Sequence, residues 1–235
     1  MNATDLVADR ALARRVRRDA AVLVTLAGAV AAGKSTFADQ MVTVFADRGA
    51  HAEVVSTDGF LFPDETLLER GLMHRKGYPD SYDAAALRRF ADRVRAGERD
   101  LSVPVYSHIT YDIVAGEAHE LPPSDVVVIE GVNALGALAG RSDLGVYLHA
   151  DEADLEAWYV DRFLALCAEA RGDPESFYRR FADLDDAAVE SLARSTWTHM
   201  NLPNLREHIA PTQSLADIVV VKGPGHVITE VREHA

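Results

Sequence analysis

The chain has 235 residues, 48% hydrophobic and 26% charged, the composition of an ordinary water-soluble protein long enough for one sizeable α/β domain. Its formal net charge of −13 argues against nucleic acid or an anionic membrane surface as the main partner. The single cysteine, Cys167, excludes an intrachain disulfide and suits a reducing compartment, and no cysteine–histidine group has zinc spacing.

Residues 1–19 predict a short basic helix laid on the surface. Arg14, Arg15, Arg17 and Arg18 precede a mostly apolar run over residues 20–32, an order that imitates a secretory signal peptide. Asp19 interrupts the junction, and cleavage after the run would destroy the motif it leads into, so a core strand is expected over residues 21–26. The run is too short to span a membrane, and the expected location is the cytoplasm.

The strand opens onto Gly28-Ala29-Val30-Ala31-Ala32-Gly33-Lys34-Ser35-Thr36. This is G-x-x-x-x-G-K-[ST], the phosphate-binding loop, with an apolar strand before it and a helical pattern after it. Its glycines allow a tight turn whose N–H groups, including those of Ala31 and Ala32, point at phosphate oxygens. Lys34 can reach the outer phosphates, and the Ser35 hydroxyl can ligate Mg²⁺. The helix runs to about residue 47 and stops at Arg48-Gly49. A second strand over residues 51–56 ends at Thr57-Asp58-Gly59, and a polar loop follows over residues 60–80, long enough to suggest a functional role.

A helix is predicted over residues 82–97, with Leu87, Phe90, Ala91 and Val94 on one face. Residues 103–114 read as strand or hairpin, and Pro122-Pro123 breaks the chain. The aliphatic run over residues 125–129 has the character of a strand buried on both faces. Another strand is expected over residues 145–149, a mainly helical region over 151–206, a last strand over 216–221 and a short terminal helix. The alternation predicts a single α/β domain, an open parallel sheet with helices on both faces and a helical substrate or lid region. Ligands in such sheets bind beyond the carboxyl ends of the strands.

Several residues there carry chemistry. Asp58 leaves the second strand where a carboxylate can accept a proton from an attacking hydroxyl, although Asp-Gly is equally a turn signal. Glu130 ends the aliphatic strand, where an acid can orient Mg²⁺ or cap the next helix. Tyr106 and His108 in PVYSHITYD share a face that can line a pocket or simply pack; Tyr111 falls on the other face if the strand continues. Tyr159 and Arg162 share a helix face, from which Arg162 can clamp a moving phosphate or merely be solvated. His74, Arg75 and Lys76 form a small basic group in the long loop, and His226 follows the turn after the last strand.

With these residues placed, the chain resembles the bacterial type I pantothenate kinases, in the wider group that includes phosphoribulokinase and uridine kinase. The similarity covers about residues 22–231 through GAVAAGKST (28–36), STDGFLFPDETLLERGLMHRKGYPDSYD (56–83), PVYSHITYD (104–112), IEGVNAL (129–135), AWYVDRF (157–163) and NLPNLREHI (201–209). The resemblance implies a P-loop kinase fold, a homodimer, and ATP- and Mg²⁺-dependent phosphorylation of the pantothenate hydroxyl on the way to coenzyme A. It implies that Asp58 is the base, that Lys34 and Ser35 serve phosphates and metal, and that Glu130 is the strand-end acid. Tyr106, His108, Tyr159, Arg162 and Asn204 fall on pantothenate-pocket positions, and Lys222 and His226 near the adenine end.

The chain also departs from that pattern. Its segment before the loop is shorter, which takes away part of the nucleotide-side wall, and the connection between Leu135 and Leu144 is shortened. Asp39 replaces an arginine that the family directs at the phosphates of inhibitory coenzyme A, and Leu166 and Arg171 replace pocket phenylalanines. Weak coenzyme A feedback follows as an expectation, and a different small alcohol or a nucleoside stands as the alternative acceptor. A nucleotide switch or a pseudo-kinase is the non-enzyme alternative. Neither the N-K-x-D guanine reader nor the L-S-G-G transporter signature is present.

Overall fold

The computed structural model describes residues 2–15 and 20–234. Five strands, β1 (Val22–Gly28), β2 (Ala52–Ser56), β5 (Val126–Glu130), β6 (Leu144–Ala150) and β7 (Ile218–Lys222), run parallel, and β8 (Ile228–Glu233) adds an antiparallel edge. The order is β2-β5-β1-β6-β7-β8, so β1 is central and its neighbours are reached by crossovers in both directions. β3 (Leu101–Ser107) and β4 (Asp112–Leu121) form a separate two-stranded antiparallel hairpin.

Alternation along the central strands divides the core. Val22, Val24, Leu26, Val126 and Val128 face a layer containing α1 (Ala3–Arg15) and α2 (Lys34–Asp47). Leu23, Val127 and Ile129 point the other way, onto Leu87, Phe90, Ala91 and Val94 of α4 (Ala84–Arg95) and onto the hairpin. Both faces are covered, which is why β1 and β5 read as continuous aliphatic runs. Asp83 starts α4 by accepting a hydrogen bond from Ala86 N at 2.8 Å. Buried Leu87, Phe90 and Val94 each contribute about 1.5–3 kcal/mol, and Ala91 less.

The mixed, mostly parallel α/β architecture is as expected, with three local corrections. The N-terminal helix is not laid on the surface: Ala3, Val7, Ala8 and Ala11 are buried against the sheet layer, and residues 1 and 16–19 of its expected span lie outside the described residues. The 60–80 loop contains α3 (Asp64–Glu69) and two short 3₁₀ turns. The expected terminal helix is β8, because Ile228 and Val231 find the open edge of β7 and complete the sheet.

The rest is helical: α5 (Ala134–Ala137), α6 (Glu152–Ala170), α7 (Asp186–Thr196) and a segment through residues 197–209 that contains two π-helical turns. Val160, Phe163 and Cys167 of α6 pack on Val189 and Ala193 of α7 in a satellite core. Among the described residues no helix is long and apolar enough to cross a membrane.

Candidate active site

The registers bring the carboxyl ends of β1, β2 and β5 together: Ser56 pairs with Glu130, which also pairs with Leu26. The loop after β1 turns through Gly28 at φ 156° and Gly33 at φ 77°. A side chain on Gly28 would lie 2.7 Å from the Leu148 carbonyl oxygen of β6, so the loop starts where only glycine fits. Ser35 Oγ then donates to Glu130 Oε1 at 3.1 Å, and Lys34 Nζ donates to Ala29 O at 2.9 Å.

Burial pushes the Lys34 ammonium below its ordinary value, opposed by Glu130 and Asp58 and assisted by Arg162. Burial likewise raises the Glu130 carboxyl, opposed by Lys34. In both groups desolvation outweighs the mutual attraction of the Lys34 and Glu130 charges. A hydroxyl and a carboxylate are hard oxygen donors of the kind that hold Mg²⁺ while phosphates complete its shell. Ser35 Oγ and Glu130 Oε1 provide such donors side by side at the loop; among the described residues no group of three or more His, Cys, Asp and Glu could hold a metal ion.

Asp58 sits in the 3₁₀ turn Thr57–Phe60 that follows β2. Its N–H donates to Ser56 Oγ at 3.2 Å, and Tyr82 Oη reaches its Oδ1 at 3.4 Å. The turn lies hard against the end of β5: a side chain on Gly131 would fall 1.7 Å from Thr57 Oγ1.

Two cavities flank the loop. The inner one, of about 220 Å³, is lined by Asp58, Tyr106, His108, Tyr111, Glu130, Tyr159, Arg162 and Leu166, among others. The outer cleft, of about 700 Å³, holds Gly33, Thr36, Gln40, Trp158, Lys222 and His226. Ala31, Lys34, Ser35 and Arg162 belong to both. The cavities therefore meet at the tip of the loop, with Asp58 on the inner side.

Most of the expected residues converge here, some in unexpected ways. Tyr111 joins Tyr106 and His108 because the strand ends at Ser107; the chain reverses and places Tyr111 at φ 61°, its ring 6.0 Å from that of Tyr106. Burial holds the Tyr82, Tyr106 and Tyr111 phenols well above their ordinary range and moves Tyr178 to about 12, so all four stay protonated donors. Lys222 is buried, and its Nζ donates to Ala32 O at 2.8 Å beneath Gly33, which puts it on the phosphate loop itself. His226 stacks on Trp158 at 3.8 Å between ring centres. Asn204 touches the inner cavity, yet its Nδ2 is committed to Gly77 O at 2.9 Å. Leu166 lines the cavity, whereas Arg171 is outside it, bound to Asp186 at 2.9 Å. Asp39 is exposed on α2 and lines neither cavity.

Sequence reading passed over Trp158, Tyr82, Tyr178 and Asn201, all of which line the site, and took Lys76 only as part of a basic loop. Lys76 is buried in the inner wall, where its Nζ donates to Asp64 Oδ1 and to Tyr111 O, 4.7 Å from the Tyr111 ring centre. Two π-helical turns beside Asn201 were a signal available only in three dimensions.

The profile of the Phosphoribulokinase / Uridine kinase family matches residues 23–162. The chain is 44% identical over 235 residues to a pantothenate kinase of Sorangium cellulosum, covering 96% of this chain and 76% of that one. It is 42% identical to a pantothenate kinase of Myxococcus xanthus, covering 89% and 71%. Among solved structures it is similar to a putative fructose transport system kinase from Silicibacter sp. TM1040, with a TM-score of 0.72 and 26% identity, over 89% of this chain and 95% of that one. D-glycerate 3-kinase from Cryptococcus neoformans shares the fold, with a TM-score of 0.73 at 13% identity over 100% of both chains.

Proposed function

The chain belongs to the phosphoribulokinase/uridine kinase family and, within it, to the pantothenate kinases, and on that premise we propose that it transfers the γ-phosphoryl group of ATP to the hydroxyl of pantothenate. The observation that carries this reading is the shared rim of the two cavities. A nucleotide whose phosphates lie on the loop in the outer cleft presents its terminal phosphorus at Lys34, Ser35 and Arg162. An alcohol in the inner cavity approaches the same point beside Asp58.

In this reading the Asp58 carboxylate takes the hydroxyl proton as the oxygen bonds to the γ-phosphorus and the bond to the β,γ-bridging oxygen breaks, releasing ADP. Lys34 and Arg162 neutralise charge spreading over the transferred group. Ser35 and Glu130 would hold Mg²⁺, which when bound offsets phosphate charge. Tyr106, His108, Tyr111 and Tyr159 form the acceptor wall. The region over residues 151–206 is its lid, supported by Tyr178 in that wall and by Phe177 N donating to Ile109 O of the hairpin at 2.7 Å. Trp158, His226 and Lys222 belong to the donor side. We further read the enzyme as cytoplasmic and acting on a small molecule rather than on nucleic acid or a membrane, consistent with its charge of −13. The homodimer rests on family resemblance and is tested by sedimentation.

A coupled ADP-release assay across pantothenate, uridine and other small alcohols tests the acceptor. Turnover is expected with pantothenate. Preference for uridine would move the enzyme to the nucleoside kinases, and turnover of no alcohol by protein that binds ATP would end the kinase reading.

A further inference from the structure

Asn204 lies at the acceptor cavity, but its surroundings give it a different task from holding substrate. Its Nδ2 donates to the carbonyl of Gly77, 127 residues away in the chain, while its buried Oδ1 has no hydrogen-bond partner among the described residues. One residue on, Tyr78 Oη donates to Met200 O at 2.9 Å, on the same helical segment as Asn204. The Tyr78 ring lies between the Arg75 guanidinium, 4.3 Å from its centre, and the edge of His208, 5.6 Å away. Fully buried Ser81 closes the turn, accepting from Gly77 N at 2.9 Å and donating to Tyr78 O at 2.7 Å. The backbone takes φ 92° at Gly77, which permits this turn. Two side-chain bonds thus pin the backbone immediately after Lys76, and Lys76 is the buried cation of the acceptor wall.

We propose that Asn204 and Tyr78 are positioning residues: they latch residues 75–81 to the segment through residues 197–209 and so set where Lys76 stands in the acceptor cavity. Loss of either bond frees the turn and lets the Lys76 ammonium leave its seat between Asp64 and the Tyr111 carbonyl. The acceptor feels this and the nucleotide does not, because neither Lys76 nor the latch lines the donor cleft. This inference rests on the acceptor reading above only for its kinetic half.

The test is a double-mutant cycle with hydrogen exchange alongside. Asn204→Ala and Tyr78→Phe, the latter keeping the ring packing, should each raise the KM for pantothenate about 5–10-fold, the worth of one hydrogen bond, leaving the KM for ATP within 2-fold. Exchange in the peptide over residues 74–81 should quicken by a similar factor. In a Lys76→Met background Asn204→Ala should add less than 2-fold. Full additivity there would make Asn204 a direct substrate ligand and overturn the proposal, as would unchanged exchange in both single variants. If the unaltered enzyme ignores pantothenate, the functional reading fails by itself and exchange alone decides the latch.

Discussion

Gly131→Ala tests how closely the turn that carries Asp58 is seated. The added Cβ would lie 1.7 Å from Thr57 Oγ1, 2.7 Å from Thr57 Cβ and 2.9 Å from Thr57 Cγ2. Against a least tolerable separation of 3.0 Å, the Thr57–Phe60 turn must retreat by about 1.3 Å, the difference between 3.0 and 1.7 Å. Rotating the Thr57 side chain does not relieve the clash with its Cβ. Asp58 rides on that turn, and a misplacement of about 1 Å at a reacting group costs on the order of 100-fold in rate. Overpacking of this kind costs about 1–3 kcal/mol of stability, a fall in Tm of roughly 2–12 °C for a chain of this size. Adding Thr57→Ala removes Oγ1 and Cγ2 and leaves the 2.7 Å contact, so the required retreat drops to about 0.3 Å. Thr57 Oγ1 is buried and has no hydrogen-bond partner among the described residues, so its removal strands none of them. The double variant should therefore recover at least 10 of the lost 100-fold in kcat by the ADP-release assay. A Gly131→Ala enzyme with unaltered kcat and Tm would refute this seating, and so would a second substitution that gives no recovery.

Asp58→Asn should lower kcat by about 10²–10⁴-fold, the range for a lost general base, with ATP affinity by titration unchanged; wild-type turnover would remove Asp58 from the reaction. Burial raises Glu130 above 4.5, so over the window between 4.5 and its raised value the folded chain keeps a proton that the unfolded chain has lost. The unfolding free energy of the free protein should fall through that window as pH rises, and Glu130→Gln should flatten the slope in urea midpoints measured from pH 4 to 6. Coenzyme A should inhibit only weakly, since Asp39 presents a carboxylate where the family resemblance implies an arginine directed at phosphate. A submicromolar inhibition constant would contradict that, and Asp39→Arg should tighten inhibition.

The donor half of the site was legible because it is written in one stretch. Residues 28–36 carry strand end, turn and helix start together, and β1 and β5 announce themselves as aliphatic because both of their faces are covered. The acceptor half is assembled from the turn after β2, the 75–81 loop, the hairpin, α6, the 177–181 turn and the segment at residues 197–209. Each contributes from one to four lining residues, whose local sequence admits a bland explanation. Lys76 shows the difficulty: in HRKG it looks solvated, and only Asp64 and the Tyr111 carbonyl explain why a lysine is buried there. Tyr111 falls on the other face only if the strand continues, and the period-two rule stops at Ser107, where a hairpin turn intervenes. The N-terminal helix hid its inner face in alanines, whose small side chains mark a close-packed stripe without a strong apolar signal. β8 follows the same logic at the other end, since its weak alternation becomes a strand only when the edge of β7 supplies the hydrogen bonds. What the chain encodes locally is how to hold a phosphate. The acceptor side is built through contacts more than 100 residues apart, such as Asn204 on Gly77 and Tyr78 on Met200, and the latch proposed above makes the KM for the acceptor depend on them.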